Sequence, residues 1–225
     1  MGQCLSRRTA MLDFIALAQA CAPTVAPETM AALVRVESAG NPYAIGVVGG
    51  RLTRQPRTLE EAVATAYALH RRGYNFSLGI AQVNRFNLAA YQLSYTIAFD
   101  PCLNLRAGSK ILEACYTRAR NRRPSPLLAA FSCYYSGNFS RGFRPDRAGQ
   151  PSYVQKVVDS AGRPVPPIPV VPALPARPVK GGPPPAEEPV QLQRAAPADI
   201  PPPVAAPPPA PRDEDEPPRD PTMVF

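Results

Sequence analysis

Pro27-Glu28-Thr29-Met30-Ala31-Ala32-Leu33-Val34-Arg35-Val36-Glu37, followed by Ser38-Ala39-Gly40-Asn41-Pro42, is the stretch on which the reading of this chain turns. Written as a helix, it sets Met30, Leu33, Val34 and Glu37 on one stripe, at the i, i+3, i+4, i+7 spacing of a buried face. Gly40 supplies a C-terminal cap and Pro42 cannot extend the helix, so the turn ends there. An acid at the inner edge of an apolar stripe is costly to ionise, and its pKa should rise. A carboxyl that stays protonated near neutral pH can protonate a leaving oxygen. The competing reading pairs Glu37 with an arginine at a domain edge.

Outward from this helix the composition splits in two. Residues 1–163 hold nine of the 31 prolines, and residues 164–225 hold the other 22, with Phe225 as the only aromatic. Runs such as Pro201-Pro202-Pro203 and Pro207-Pro208-Pro209 cannot bury enough apolar surface to offset the entropy of ordering. The expectation is a disordered, polyproline-II-rich tail over 164–225, a domain over 12–163 and a leader or disordered segment over 1–11. Charge divides the same way, +11 for residues 1–163 and −3 for residues 164–225. A basic domain suits a polyanionic partner. Its arginines are scattered and no nucleic-acid signature accompanies them, so nucleic acid is not the expected partner. The Arg118–Arg123 cluster reads as a solvated helix C-terminus, where cations suit the dipole.

Five cysteines include Cys4, outside the domain, and four within it. One histidine, His70, and no Cys-x-x-Cys pair argue against a metal site, and no cofactor constellation is visible. Cys115 and Cys133 each lie nine residues from Pro124, the expected turn between two helices, so an antiparallel hairpin would bring them together. That pairing leaves Cys21 with Cys102; four reduced core cysteines are the alternative. Two disulfides imply an oxidising compartment. The start conflicts with this, because Asp13 interrupts the apolar run after Arg7-Arg8 and no cleavage site follows. No run approaches the roughly 18 apolar residues of a membrane span.

Periodicity predicts helices over 12–20, with Phe14, Leu17 and Ala18 inward, over 28–38, and from a Thr58 cap through Arg72 to Gly73. Ile45 to Leu52, with Gly49-Gly50 at its centre, reads as a β-hairpin. A short helix over 86–91 and longer ones over 103–120 and 125–134 follow, with Asp100 as a turn or cap residue. Glu60 and Glu61 read as acids placed at a helix start for the dipole. The fold expected is mainly α with a small β-hairpin.

Four stretches, Glu37-Ser38 with Asn41-Pro42, Ser77-Leu78-Gly79-Ile80-Ala81-Gln82-Val83-Asn84, Ser132-Cys133-Tyr134-Tyr135-Ser136-Gly137-Asn138 and Ser152-Tyr153-Val154, recur in an order that resembles the soluble lytic transglycosylase domain. The likeness is greatest to the VirB1-type enzymes of type IV secretion and conjugation machines, and it covers roughly residues 12 to 160. It implies a lysozyme-like fold, a periplasmic enzyme and peptidoglycan glycan strands as substrate. It also implies machine components as partners, for which the tail is a candidate docking segment.

The resemblance makes Glu37 the catalytic acid. Ser38 would hydrogen-bond the acid or the substrate, or cap the helix. Gln82 would contact a sugar acetamido or hydroxyl group, or brace the cleft floor, and Asn84, which closes the same motif, would bind substrate beside it. Tyr134 would hold the acid or stack on sugar, or be a core tyrosine. Tyr153, a further candidate for substrate binding, and Asn104 match weaker positions near the cleft, where a structural role is the alternative. Two departures stand out: Ile80-Ala81 replaces Leu-Met, and Tyr135 stands where the family has asparagine. Hydrolytic glycosidases need two carboxyl groups, and no acid follows Glu37 in the 45–52 segment. The resemblance therefore implies cleavage that forms a 1,6-anhydro sugar. A hydrolytic muramidase and a non-catalytic peptidoglycan-binding scaffold are the alternatives.

Overall fold

Residues 11–12, 14–121, 125–161, 168–169, 190 and 192–194 are described in the computed structural model. Cys4, Asp13 and Arg122 to Pro124 lie outside them, with most of the segments 1–11 and 164–225. The order begins with β1 (Met11–Leu12), α1 (Phe14–Cys21), α2 (Pro27–Ser38), β2 (Ile45–Val47), β3 (Gly50–Leu52) and α3 (Leu59–Arg71). It continues with β4 (Phe76–Leu78), β5 (Val83–Asn84), α4 (Pro101–Arg118), α5 (Pro126–Ser136), α6 (Tyr153–Ser160), β6 (Ile168–Pro169) and β7 (Leu192–Arg194). The architecture is mainly α with one small three-stranded sheet.

Two apolar clusters form the core. The first gathers Phe14, Leu17 and Ala18 of α1 with Met30, Leu33 and Val34 of α2, Leu105 and Leu112 of α4, Phe131 of α5, and Val154 and Val157 of α6. Both disulfides belong to this side, Cys21–Cys102 with Cα atoms 5.2 Å apart and Cys115–Cys133 at 5.7 Å. Arg118, at the end of α4, lays its guanidinium 3.1 Å from the Cys133 sulfur. The second cluster packs Ala62, Ala66 and Leu69 of α3 under Ile45, Phe76, Leu78 and Val83 of the sheet, with Phe99 and Ala107 behind.

Helix starts follow local chemistry. Thr58 Oγ1 accepts from Glu61 N at 3.2 Å, Asp100 Oδ1 from Leu103 N at 2.8 Å and Ser152 Oγ from Gln155 N at 3.2 Å, each filling an orphan donor of a first turn. α2 ends one residue earlier than its glycine suggests: Ala39 takes the left-handed conformation (φ 53°) and its N–H bonds Arg35 O, with Gly40 next in line (φ 81°).

The hairpin expected over 45–52 does not form as a ladder. β2 pairs antiparallel with β4 (Ile45 opposite Leu78, Val47 opposite Phe76), and β4 with β5. The chain does reverse at Gly49 (φ 72°). The outer edge of β2 is satisfied by one side chain, since Gln55 accepts from Ile45 N at 2.8 Å and donates to Ile45 O at 3.1 Å. With that edge satisfied, β3 pairs elsewhere, with β7 from the proline-rich stretch (Gly50 opposite Arg194, Leu52 opposite Leu192). β6 likewise pairs with β1. Composition gave no sign of these pairings.

Three smaller differences follow. The helix expected over 86–91 is a 3-10 turn, Ala89–Tyr91. Glu61 does more than favour a dipole: buried, it takes an ion pair from Arg54 and a hydrogen bond from Arg57 N at 2.7 Å. α6 continues the Ser152-Tyr153-Val154 motif as a helix packed on α2 and α5, and Arg35 Nη1 holds its end through Ser160 O at 2.8 Å.

Candidate active site

Glu37 comes to the cleft on the last turn of α2, whose buried stripe fixes its direction. The cleft encloses about 220 Å³ and is walled by Gly46, Val47 and Val48 on the sheet side and by Tyr134, Tyr135 and Ser136 of α5 on the other. Gln82, Asn84, Ser77 and Asn87 line its sheet side, and Arg141 and Ile111 complete the lining. Glu37 is the only acid among these lining residues.

Burial pushes the Glu37 carboxyl up to about 7, against the opposing effect of a hydrogen bond donated by the Tyr153 hydroxyl to its Oε1. Desolvation therefore wins: the neutral form is favoured because few dipoles replace water around the charge. Tyr153 itself is buried (5% exposed), and burial, then the nearby Glu37 charge, holds its phenol well above the ordinary value, so it remains a donor. Burial acts the same way on Tyr134.

The other residues singled out in the sequence are near Glu37, and most of their polar atoms are engaged by the protein itself. Ser38 Oγ donates to Ile80 O at 2.7 Å and accepts from Gly40 N at 3.2 Å, which ties the acid-bearing turn to the second motif and leaves Glu37 to Tyr153. Gln82 sits at φ 49°, and its amide nitrogen donates to Gly79 O at 2.8 Å and Ala44 O at 3.0 Å. Its Oε1 lies over Gly46, where a Cβ would come within 2.6 Å of it, so a side chain at 46 would displace the amide. Asn84 donates to Asn75 Oδ1 at 2.8 Å and accepts from Phe86 N at 3.1 Å. Tyr134 donates to Ala81 O at 2.6 Å.

Asn104 lies wholly inside, not in the cleft wall. It accepts from Ala81 N at 2.7 Å and donates to Ala98 O at 2.7 Å and Leu78 O at 2.9 Å, clamping the turn between β4 and β5. Gly79 in that turn has φ 77°, and a Cβ there would meet the Asn104 amide at 2.4 Å. Sequence reasoning passed over Arg141 and Asp146, which pair at 2.6 Å. Nothing in their spacing pointed to a cleft 100 residues from Glu37 in the chain.

The family model described as Transglycosylase SLT domain matches residues 14–149. A Brucella suis biovar 1 protein named Type IV secretion system protein virB1 is 64% identical over 155 residues, covering 67% of this chain and 65% of the relative. A Rhizobium radiobacter protein named Protein virB1 is 34% identical over 160 residues, covering 68% of this chain and 63% of the relative. The chain thus covers slightly less than two thirds of the length of these relatives. No solved structure matches it.

Proposed function

The chain belongs to the Transglycosylase SLT domain family, and from that premise we propose that it is a peptidoglycan lytic transglycosylase that opens the cell wall for a type IV secretion or conjugation apparatus. The observation that carries the reading is the solitary acid: among the described residues Glu37 is the only carboxyl lining the cleft, and it is held near pKa 7. Hydrolysis by the usual route needs a second carboxyl as nucleophile or base, within roughly 5–10 Å of the first. A substrate that brings its own nucleophile does not.

In this mechanism neutral Glu37 protonates the β-1,4 glycosidic oxygen between N-acetylmuramic acid and N-acetylglucosamine. The acetamido group of the muramic residue stabilises the anomeric carbon as the C1–O bond breaks. Glu37, now a carboxylate, takes the proton from the C6 hydroxyl of the same sugar as that oxygen bonds C1. The product is a 1,6-anhydro sugar; no water enters and Glu37 ends protonated as it began. An internal nucleophile gains effective molarities of about 10⁵ M or more, which makes one protein acid sufficient. A pKa near 7 suits both halves of the cycle, because the group must give and take a proton at similar driving force.

The remaining residues hold this geometry. Tyr153 orients the Glu37 carboxyl, Ser38, Tyr134 and Gln82 brace the facing turn, and Gln82 Oε1 and Asn84 offer polar contact to the acetamido and hydroxyl groups of bound sugar. The excess of basic charge in residues 1–163 suits an anionic wall. Two disulfides suit an oxidising compartment and, with a wall substrate, support a periplasmic location; among the described residues no helix is long and apolar enough to cross a membrane. The tail is the proposed contact with machine components.

Purified peptidoglycan digested with the full chain, beside a Glu37→Gln control and read by mass spectrometry, tests the reading. Anhydro-muropeptides from the wild type alone are expected. Products one water heavier would replace it with a hydrolase, and no products from folded protein would replace it with a wall-binding scaffold.

A further inference from the structure

Tyr135 departs from the family motif, and the structure gives the departure a place. Its ring lies on the ring of Tyr153, with centroids 4.5 Å apart and planes within 14°. Its hydroxyl donates to Asp146 Oδ1 at 2.8 Å, and Asp146 is held in turn by Arg141 Nη2 at 2.6 Å. Arg141 is fixed from its other side by a 3.2 Å hydrogen bond to Arg144 O. The series thus runs from the outer loop to the acid: Arg141, Asp146, Tyr135, Tyr153, Glu37. An asparagine at 135 has no ring to lay on Tyr153.

We propose that Tyr135 is a positioning residue, whose ring holds Tyr153 against the Glu37 carboxyl and closes that side of the acid to water. This rests on the reading of Glu37 as the acid. The face of a phenol ring covers far more of Tyr153 than an amide does, and offset stacked rings attract beyond their buried area. Among the described residues, the ionisable groups coupled to Glu37 are Tyr153 from α6 and Tyr134 and Tyr135 from α5, and Arg141 lines the same cleft. Burial, with help from the hydrogen bond to Asp146, pushes the Tyr135 phenol upward, so all three stay neutral around neutral pH. Glu37 thus keeps its proton through the exclusion of water by aromatic surface. In place of the asparagine's polar contact, this chain has an aromatic wall braced by an ion pair.

The test is a carbon-13 NMR titration of the Glu37 carboxyl in the full chain, assigned by its loss in Glu37→Gln, for wild type, Tyr135→Phe and Tyr135→Asn. Tyr135→Asn should lower the midpoint by about one unit as water reaches the carboxyl. Tyr135→Phe, which keeps the ring, should stay within about 0.3 of wild type. In turnover assays, a midpoint moved from 7 to about 6 predicts kcat roughly fivefold lower at pH 7 and restored at pH 5, with KM nearly unchanged. A loss through general misfolding would not recover at low pH. If Tyr135→Asn fails to fold, Tyr135→Leu, which fills space without a ring to stack, is expected to move the midpoint the same way. An unmoved midpoint in the folded variant overturns the proposal, as does a shift in Tyr135→Phe as large as that in Tyr135→Asn. The titration needs no turnover, so a wild type that yields no anhydro product sinks the reaction and leaves this test intact.

Discussion

The two sides of the cleft are held by different means. On the helical side, α1, α2, α4, α5 and α6 share one apolar cluster, stapled by two disulfides, and present the acid. On the sheet side, short strands of two or three residues sit over α3 with no bridge among them, and single side chains fix the backbone. Gln55 completes an edge, Asn104 clamps a turn, and Gln82 bonds two carbonyls. A short strand has few ladder bonds to give, so buried amides stand in for length. The side that carries the acid is made rigid by packing and covalent ties; the side that faces it is made rigid by hydrogen bonds that have no spare partners.

The largest expected effect falls on the helical side. Glu37→Gln should abolish anhydro-product formation, by at least about a thousandfold, as expected for loss of a group that serves as both acid and base. The same substitution should make the fold more stable. An acid with pKa about 7 folded and 4.5 unfolded binds more protons in the native state between those values. Stability it contributes is therefore present below pH 4.5 and lost as pH rises towards 7. Removing it should raise stability at pH 7.5 by on the order of 2–3 kcal/mol, with little change at pH 4. Urea denaturation at both pH values checks this; equal shifts at both would show that the ionisation penalty is not what Glu37 imposes.

The next test breaks the covalent half of the comparison. Cys21–Cys102 closes 81 residues and Cys115–Cys133 closes 18. Chain-entropy arguments give losses of roughly 4 and 3 kcal/mol respectively when each pair is replaced by serine. The order of the two losses, read from denaturation midpoints, is the sharper prediction. A larger loss at 115–133 would mean that local packing between α4 and α5, not loop closure, sets the value.

Asn104→Ala tests the other half. Three backbone groups would lose their partner in a buried site, at about 2–3 kcal/mol by the usual penalty for orphaned polar groups. Activity should fall more than stability suggests, because the freed turn carries Gln82. Full activity in the folded variant at room temperature would show that the turn does not depend on the clamp.

The difference between the sides also decides what a reader of the sequence can see. Helix α2 is legible because its apolar period is written over twelve consecutive residues, and the acid's place on it follows from the same count. The capping oxygens of Thr58 and Asp100 are legible because a cap acts within three residues. The sheet is not: β2 finds its partner thirty residues downstream, and the choice of β4 over β3 turns on Gln55, whose side chain carries no periodic signal. Asn104 looks like one polar residue on a helix until the turn it clamps is seen. Tyr135 was visible as a departure from a motif, but its stacking on Tyr153 joins positions that sequence spacing does not relate.

The smallest expected effect concerns the outermost strand pairing, where the sheet side borrows from the tail. Val190 to Ala196 is the longest proline-free run in residues 164–225, and Val-Gln-Leu-Gln alternates as a strand does. Backbone pairing of Leu192–Arg194 with Gly50–Leu52 covers an edge, and Val190 N donates to the buried Thr65 hydroxyl at 3.1 Å. Gln193→Pro removes an N–H and restrains φ in the middle of this ladder. Because edge strands contribute little to the core, the melting temperature should fall by no more than about 2 °C, corresponding to a few tenths of a kcal/mol. Hydrogen exchange should respond where melting hardly does, with peptides spanning Gly50–Leu52 exchanging several-fold faster and those spanning Ile45–Val47, secured by β4 and Gln55, unchanged. Equal acceleration of both would mean that the edge and the cleft wall open together, and the sheet side would then depend on the tail as the helical side depends on its disulfides.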